Sequence, residues 1–152
     1  STLDIPAISP AVSVALMGEE EGTVILDVGG DDAGATALGQ FAAEISRRPY
    51  EMYYVVNHYR PLSAGSLETA ELLAEIQAVS RLKATGVVNN SHLKQETTPE
   101  DIRRAFSYGE EIAEQLGLPL CFTTIPENLA EEMGNSLPGL RPVRVYVRSP
   151  WE

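Results

Sequence analysis

Four short apolar runs, rich in β-branched and aromatic residues, recur along this chain, with helix-like stretches between them. The runs are Thr23–Val28 (TVILDV), Glu51–Asn57 (EMYYVVN), Ala84–Asn89 (ATGVVN) and Leu120–Ile125 (LCFTTI). A continuous apolar run of this length reads as a strand buried on both faces. Between them the apolar period changes to that of a helix. From Ala33 a helix presents Leu38, Phe41, Ala42 and Ile45 on one face, reaches Arg47-Arg48 and stops at Pro49. A second covers about Ser66–Ser80 with Leu72, Leu73, Ile76 and Val79 inward. The loop before it is punctuated by Pro61 and Ser63. A third opens on Thr98-Pro99-Glu100-Asp101, carries a stripe from Ile102 to Leu116 and ends at Gly117. Strand and helix alternating through short connections predict an α/β fold, mainly a parallel sheet with helices on both faces.

The ends are shorter elements. Ser9 and Pro10 predict a capped helix through Ala11–Met17, stopped by Gly18. Pro126 opens a short helix to about Met133, and Val143–Val147 reads as a last strand, with Trp151 near the terminus. No repeat or linker divides the 152 residues, so residues 1–152 are expected to form one domain.

Charge and cysteine content remove several function classes. The net charge of −11 repels nucleic acid and anionic lipid, and the nine arginines and two lysines form no basic stripe. Direct nucleic-acid contact is therefore not expected. One cysteine, Cys121, forbids an internal disulfide and points to a cytoplasmic setting. No apolar run approaches the roughly 20 residues that span a bilayer.

Ligands of open parallel sheets bind beyond the carboxyl ends of the strands. Those ends carry Asp27-Val28-Gly29-Gly30-Asp31-Asp32-Ala33-Gly34, then Asn57-His58-Tyr59-Arg60, then Asn89-Asn90-Ser91-His92, then Pro126-Glu127-Asn128. An aspartate closing an apolar strand can order a hydrated Mg²⁺, and glycines beyond it let backbone N–H groups approach a phosphate. The plainer reading is that Asp27 caps the turn and the glycines merely permit it. Their spacing is not G-x-G-x-x-G. His58 and His92 lack ligand spacing and read as exposed loop histidines. Cys121 reads as a packed thiol. The tyrosines around the second strand read as sheet packing, and the paired glutamates as solvated helix faces.

On these motifs the chain resembles the MinD/ParA-like P-loop ATPases. VILDVGGDDAGATALGQF resembles their Walker-B and switch region, and YYVVNHYRPLSAGSLETAELLAEI their next strand and helix. ATGVVNNS is similar to the strand that ends in a base-contacting asparagine, and TTIPENLAEEM to the loop that closes over the base. Together these span about Thr23–Met133. The resemblance implies ATP and Mg²⁺ as cofactors, hydrolysis of the β–γ phosphoanhydride, and a possible homodimer. It implies that Asp27 orders Mg²⁺ through water and that Gly29 and Gly30 form the switch backbone. It gives Asn89 the adenine edge, and Pro126 with Asn128 the far wall of the base pocket. Asn57, Arg60 and Asn90 share that rim without an assigned role.

The family's phosphate loop is missing. The 22 residues before Thr23 contain no lysine, Lys83 lies before a strand, and Lys94 sits in a loop without glycines. This chain alone is therefore expected neither to hydrolyse ATP nor to bind it tightly, and to be the later part of a longer protein. Two alternatives stand beside this reading. One is a non-enzymatic binding or regulatory α/β domain. The other is a domain that takes another anionic cofactor at the Gly29-Gly30 turn.

Overall fold

The structure, a computed structural model, describes residues 8–18, 22–60, 65–93, 96–144 and 146. Pro61, Ser63, Lys94, Val145, Val147 and Trp151 lie outside them. The elements are α1 (Pro10–Met17), α2 (Asp32–Gly39), α3 (Ala42–Ser46), β1 (Tyr53–Val56), α4 (Ser66–Ser80), β2 (Gly86–Asn89), α5 (Pro99–Leu116), β3 (Leu120–Pro126), a 3-10 turn (Glu127–Leu129), α6 (Ala130–Met133) and β4 (Leu140–Val143). The fold is α/β. Its four strands are all parallel and lie in sequential order, β1-β2-β3-β4. The described residues fall into two compact units, one drawn from 1–52 and 72–83, the other from 53–71 and 84–152.

The sheet belongs to the second unit. β2 is buried along its whole length, as a central parallel strand should be. One face of the sheet takes α5. Thr98 caps that helix by accepting from the Asp101 N–H, and the Asp101 side chain answers the Thr98 N–H, a complete capping box. Gly117 ends it in the left-handed conformation that favours glycine. Its stripe is as expected at Ile102, Ala105, Phe106, Gly109, Ile112 and Ala113, with Tyr108 added. Val56, Val87, Tyr108, Ile112 and Ala113 form one core cluster. Ile102, Ile125, Leu129 and Met133 form another beneath the turn after β3.

In the first unit, α1 starts as expected: the Ser9 hydroxyl accepts from the Ala11 N–H, and Pro10 occupies the first turn. The helix expected from Ala33 to Arg48 is two helices. Gly39 lies so close to Val79 that a Cβ there would sit 2.9 Å from its carbonyl oxygen. The Gly39 carbonyl accepts from Arg81 Nη2 at 2.5 Å, and the turn at Gln40-Phe41 closes with tighter bonds to Ala37 and Leu38. The helix breaks where its carbonyl is given to a side chain.

Three other expectations need correction. Thr23–Val28 forms no strand, and Ile25 is 88% exposed. Its composition supplies β-propensity, but propensity alone does not make a strand. β4 covers Leu140–Val143, and Val145 and Val147 of the strand expected over Val143–Val147 lie outside the described residues. Leu72 and Val79 of α4 are exposed, because Leu73, Ile76 and Ser80 form the buried line and the other two flank it. Cys121 is exposed. The register shifts between Val87 and Val88, whose partners are Leu120 and Phe122, so Cys121 has no partner of its own in the β2 register.

Candidate functional site

The expected site residues fall in both units. In the first, Asp27, Val28, Gly29 and Gly34 line a shallow cavity of about 190 Å³, together with apolar side chains including Val12, Leu38 and Phe41. Asp27, Gly29 and Gly30 are exposed. The three glycines differ in their reasons for being glycine. A Cβ on Gly34 would collide with the Gly29 carbonyl. Gly34 is therefore a packing residue. A Cβ on Gly30 would meet nothing within 4 Å, and Gly30 has no positive φ. Sterics give no reason for glycine at position 30.

The Asp31 carboxylate caps α2, accepting from the Gly34 N–H at 2.8 Å. That places a negative charge at the end of the helix where an anion would otherwise sit. Among the described residues no three acidic, histidine or cysteine side chains converge as a metal site. A magnesium ion held mainly by substrate phosphates and water needs only one carboxylate, and exposed Asp27 meets that requirement.

The second unit holds the carboxyl ends of β1, β2 and β3, and a chain of hydrogen bonds joins the first two to α5. The His58 N–H donates to Ser91 Oγ at 2.7 Å. The Ser91 hydroxyl donates to Asn89 Oδ1 at 2.5 Å, and Asn89 Nδ2 donates to the Ala105 carbonyl of α5 at 2.8 Å. Asn89 is 0% exposed, and Gly109 is glycine because a Cβ there would press within 3.1 Å of its amide. Both ends of this carboxamide are engaged inside the protein, as a buried amide requires.

Asn90 is the exposed member of the pair. Its Oδ1 accepts from the Thr124 hydroxyl of β3 at 2.5 Å, and its N–H continues the ladder to the Val56 carbonyl. Sequence reasoning missed Thr124. The available signal was the polar pair Thr123-Thr124 inside an otherwise apolar strand: alternation must send the two hydroxyls to opposite faces.

Asn57 and Tyr59, just after β1, are held by hydrogen bonds. Asn57 Oδ1 accepts from the Tyr59 N–H at 2.9 Å. The Tyr59 hydroxyl donates to the Asp101 carbonyl at 2.6 Å, and burial followed by the Asp101 charge pushes that phenol up. His58 is half-buried and packs on the Tyr59 and Tyr108 rings at 5.0 and 4.5 Å. His92 is also half-buried, and burial lowers its pKa. Both correct the expectation of exposed loop histidines, and for His58 the Tyr59 and Tyr108 rings supply the cover.

Pro126 is the buried last residue of β3, and Asn128 is exposed in the turn that follows. Glu127 anchors this turn through a two-pronged bond to Arg144, at 2.9 and 3.1 Å. Among the described residues no helix is long and apolar enough to cross a membrane. No family model, curated protein or solved structure matches the chain.

Proposed function

We propose that this chain is the later part of a MinD/ParA-like ATP-binding protein. In this reading it carries the magnesium and switch segment at Asp27–Gly30 and a base-binding rim at the carboxyl ends of β2 and β3. The observation that carries the reading is Asn90. It is exposed at the end of a buried parallel strand, fixed by Thr124, and close in sequence register to Pro126. A fixed amide on the ligand edge of a parallel sheet suits hydrogen bonding to a planar base. Asn90 therefore takes the base-edge role that the resemblance gave to Asn89, whose amide is spent inside the fold.

The strand order supports a missing piece. The four strands run in sequence without reversal, so the switch point that opens a phosphate crevice in such sheets is not among them. A strand carrying the phosphate loop would supply that switch point. In the complete protein a water attacks the γ-phosphorus of ATP, the bond to the β–γ bridging oxygen breaks, and ADP and phosphate leave. Mg²⁺ would neutralise the developing charge. Asp27 would accept hydrogen bonds from its water ligands, and the unobstructed Gly30 backbone would approach the γ-phosphate. Titration of the complete protein with ATP·Mg tests the reading. Binding that weakens on Asn90→Ala is the expected result, and no binding at all rejects it.

A second reading is a binding or regulatory domain without phosphate chemistry, in a cytoplasmic setting. It is favoured by the Asp31 carboxylate on the α2 N-terminus, where a phosphate would need to displace it. Under this reading Asp27→Ala leaves activity intact, and a strong loss counts against it.

A further inference from the structure

We propose that Thr124 is a positioning residue: it sets which way the Asn90 carboxamide faces, and so which ligand atoms the rim accepts. The proposal rests on the base-binding reading above. Thr124 is 7% exposed and lies on β3, one strand away from Asn90. Its hydroxyl donates to Asn90 Oδ1 at 2.5 Å. With the oxygen engaged by β3, the two Nδ2–H donors of this exposed side chain are left for a ligand. An amide held this way greets an acceptor, such as a ring nitrogen or a carbonyl of a heteroaromatic base. An exposed asparagine without such a partner presents either end equally, because its two orientations cost almost the same. Thr123 cannot do this work: it is wholly buried, and its hydroxyl has no partner among the described residues.

Binding of adenosine to this chain, followed by NMR titration, tests the proposal without requiring a phosphate loop. Thr124→Val keeps the side-chain shape and removes the donor. It should weaken adenosine binding about tenfold, the effect of one ordinary hydrogen bond. Thr124→Ser should restore wild-type affinity. Asn90→Ala should weaken binding as well, and the Asn90→Ala/Thr124→Val double variant should be no worse than Asn90→Ala alone, because Thr124 acts through Asn90. Wild-type affinity in Thr124→Val, or losses that add in the double variant, overturns the proposal. Failure of wild-type protein to bind adenosine instead rejects the base-binding reading. The role of Thr124 is then decided without ligand, from the order parameter of the Asn90 side-chain amide. In Thr124→Val it should fall to that of the exposed Asn128 amide, and an unchanged value overturns the proposal.

Discussion

Adjacent residues of one chemical type do opposite jobs here, and burial separates them. Asn89 and Asn90 are neighbours at the end of β2, yet one amide is locked under α5 and the other reaches the surface. The sequence showed that an asparagine stands at this strand end, but strand phase decides which of the two points inward. Gly30 and Gly34 divide in the same way. Helix propensity alone favours alanine over glycine by roughly 0.8–1.0 kcal/mol at a position such as Gly34. The collision of a Cβ with the Gly29 carbonyl reverses the sign. We expect Gly34→Ala to lose about 1–3 kcal/mol in urea unfolding, as overpacked sites do. Gly30→Ala should stay within about 0.5 kcal/mol of wild type. Equal midpoints for the two variants would contradict this assignment.

Among the elements, α5 was the most legible, because every local signal agrees: cap, proline, acidic first turn, apolar stripe and terminal glycine. The Thr98 backbone N–H, and then its hydroxyl, donate to Asp101 and hold that carboxyl below the usual carboxylate range. A depressed carboxylate stabilises the fold above its unfolded pKa, and the gain is lost as pH falls through the folded value. Thermal melts should therefore decline as the solution is acidified through and below the ordinary carboxylate range, and less so in Asp101→Asn. At neutral pH, Thr98→Ala should cost about 1 kcal/mol. The helix expected from Ala33 is broken by contacts with Arg81 and Val79, far along the chain. Local periodicity carries no information about a distant guanidinium.

At the scale of the whole molecule, the burial pattern says where stability resides. Ile112 is wholly buried in the cluster beneath α5, whereas Ile25 is 88% exposed. Ile112→Ala should cost about 2–5 kcal/mol. Ile25→Ala should change stability by no more than about 0.5 kcal/mol. Chemical denaturation of the two variants separates a stable sheet unit from a Thr23–Val28 segment that contributes little. By itself, the sequence determined the α/β class, the parallel direction of the strands and the capped helix α5. These follow from periodicity, connection length and short-range capping, all of which act over a few residues. Tertiary structure decided two further matters: that the β2–β3 register shifts beside Cys121, which is exposed, and that Asn90, held by Thr124, is the asparagine at the surface. Each depends on which residue of another strand lies opposite, and register across a sheet is not written in any one segment.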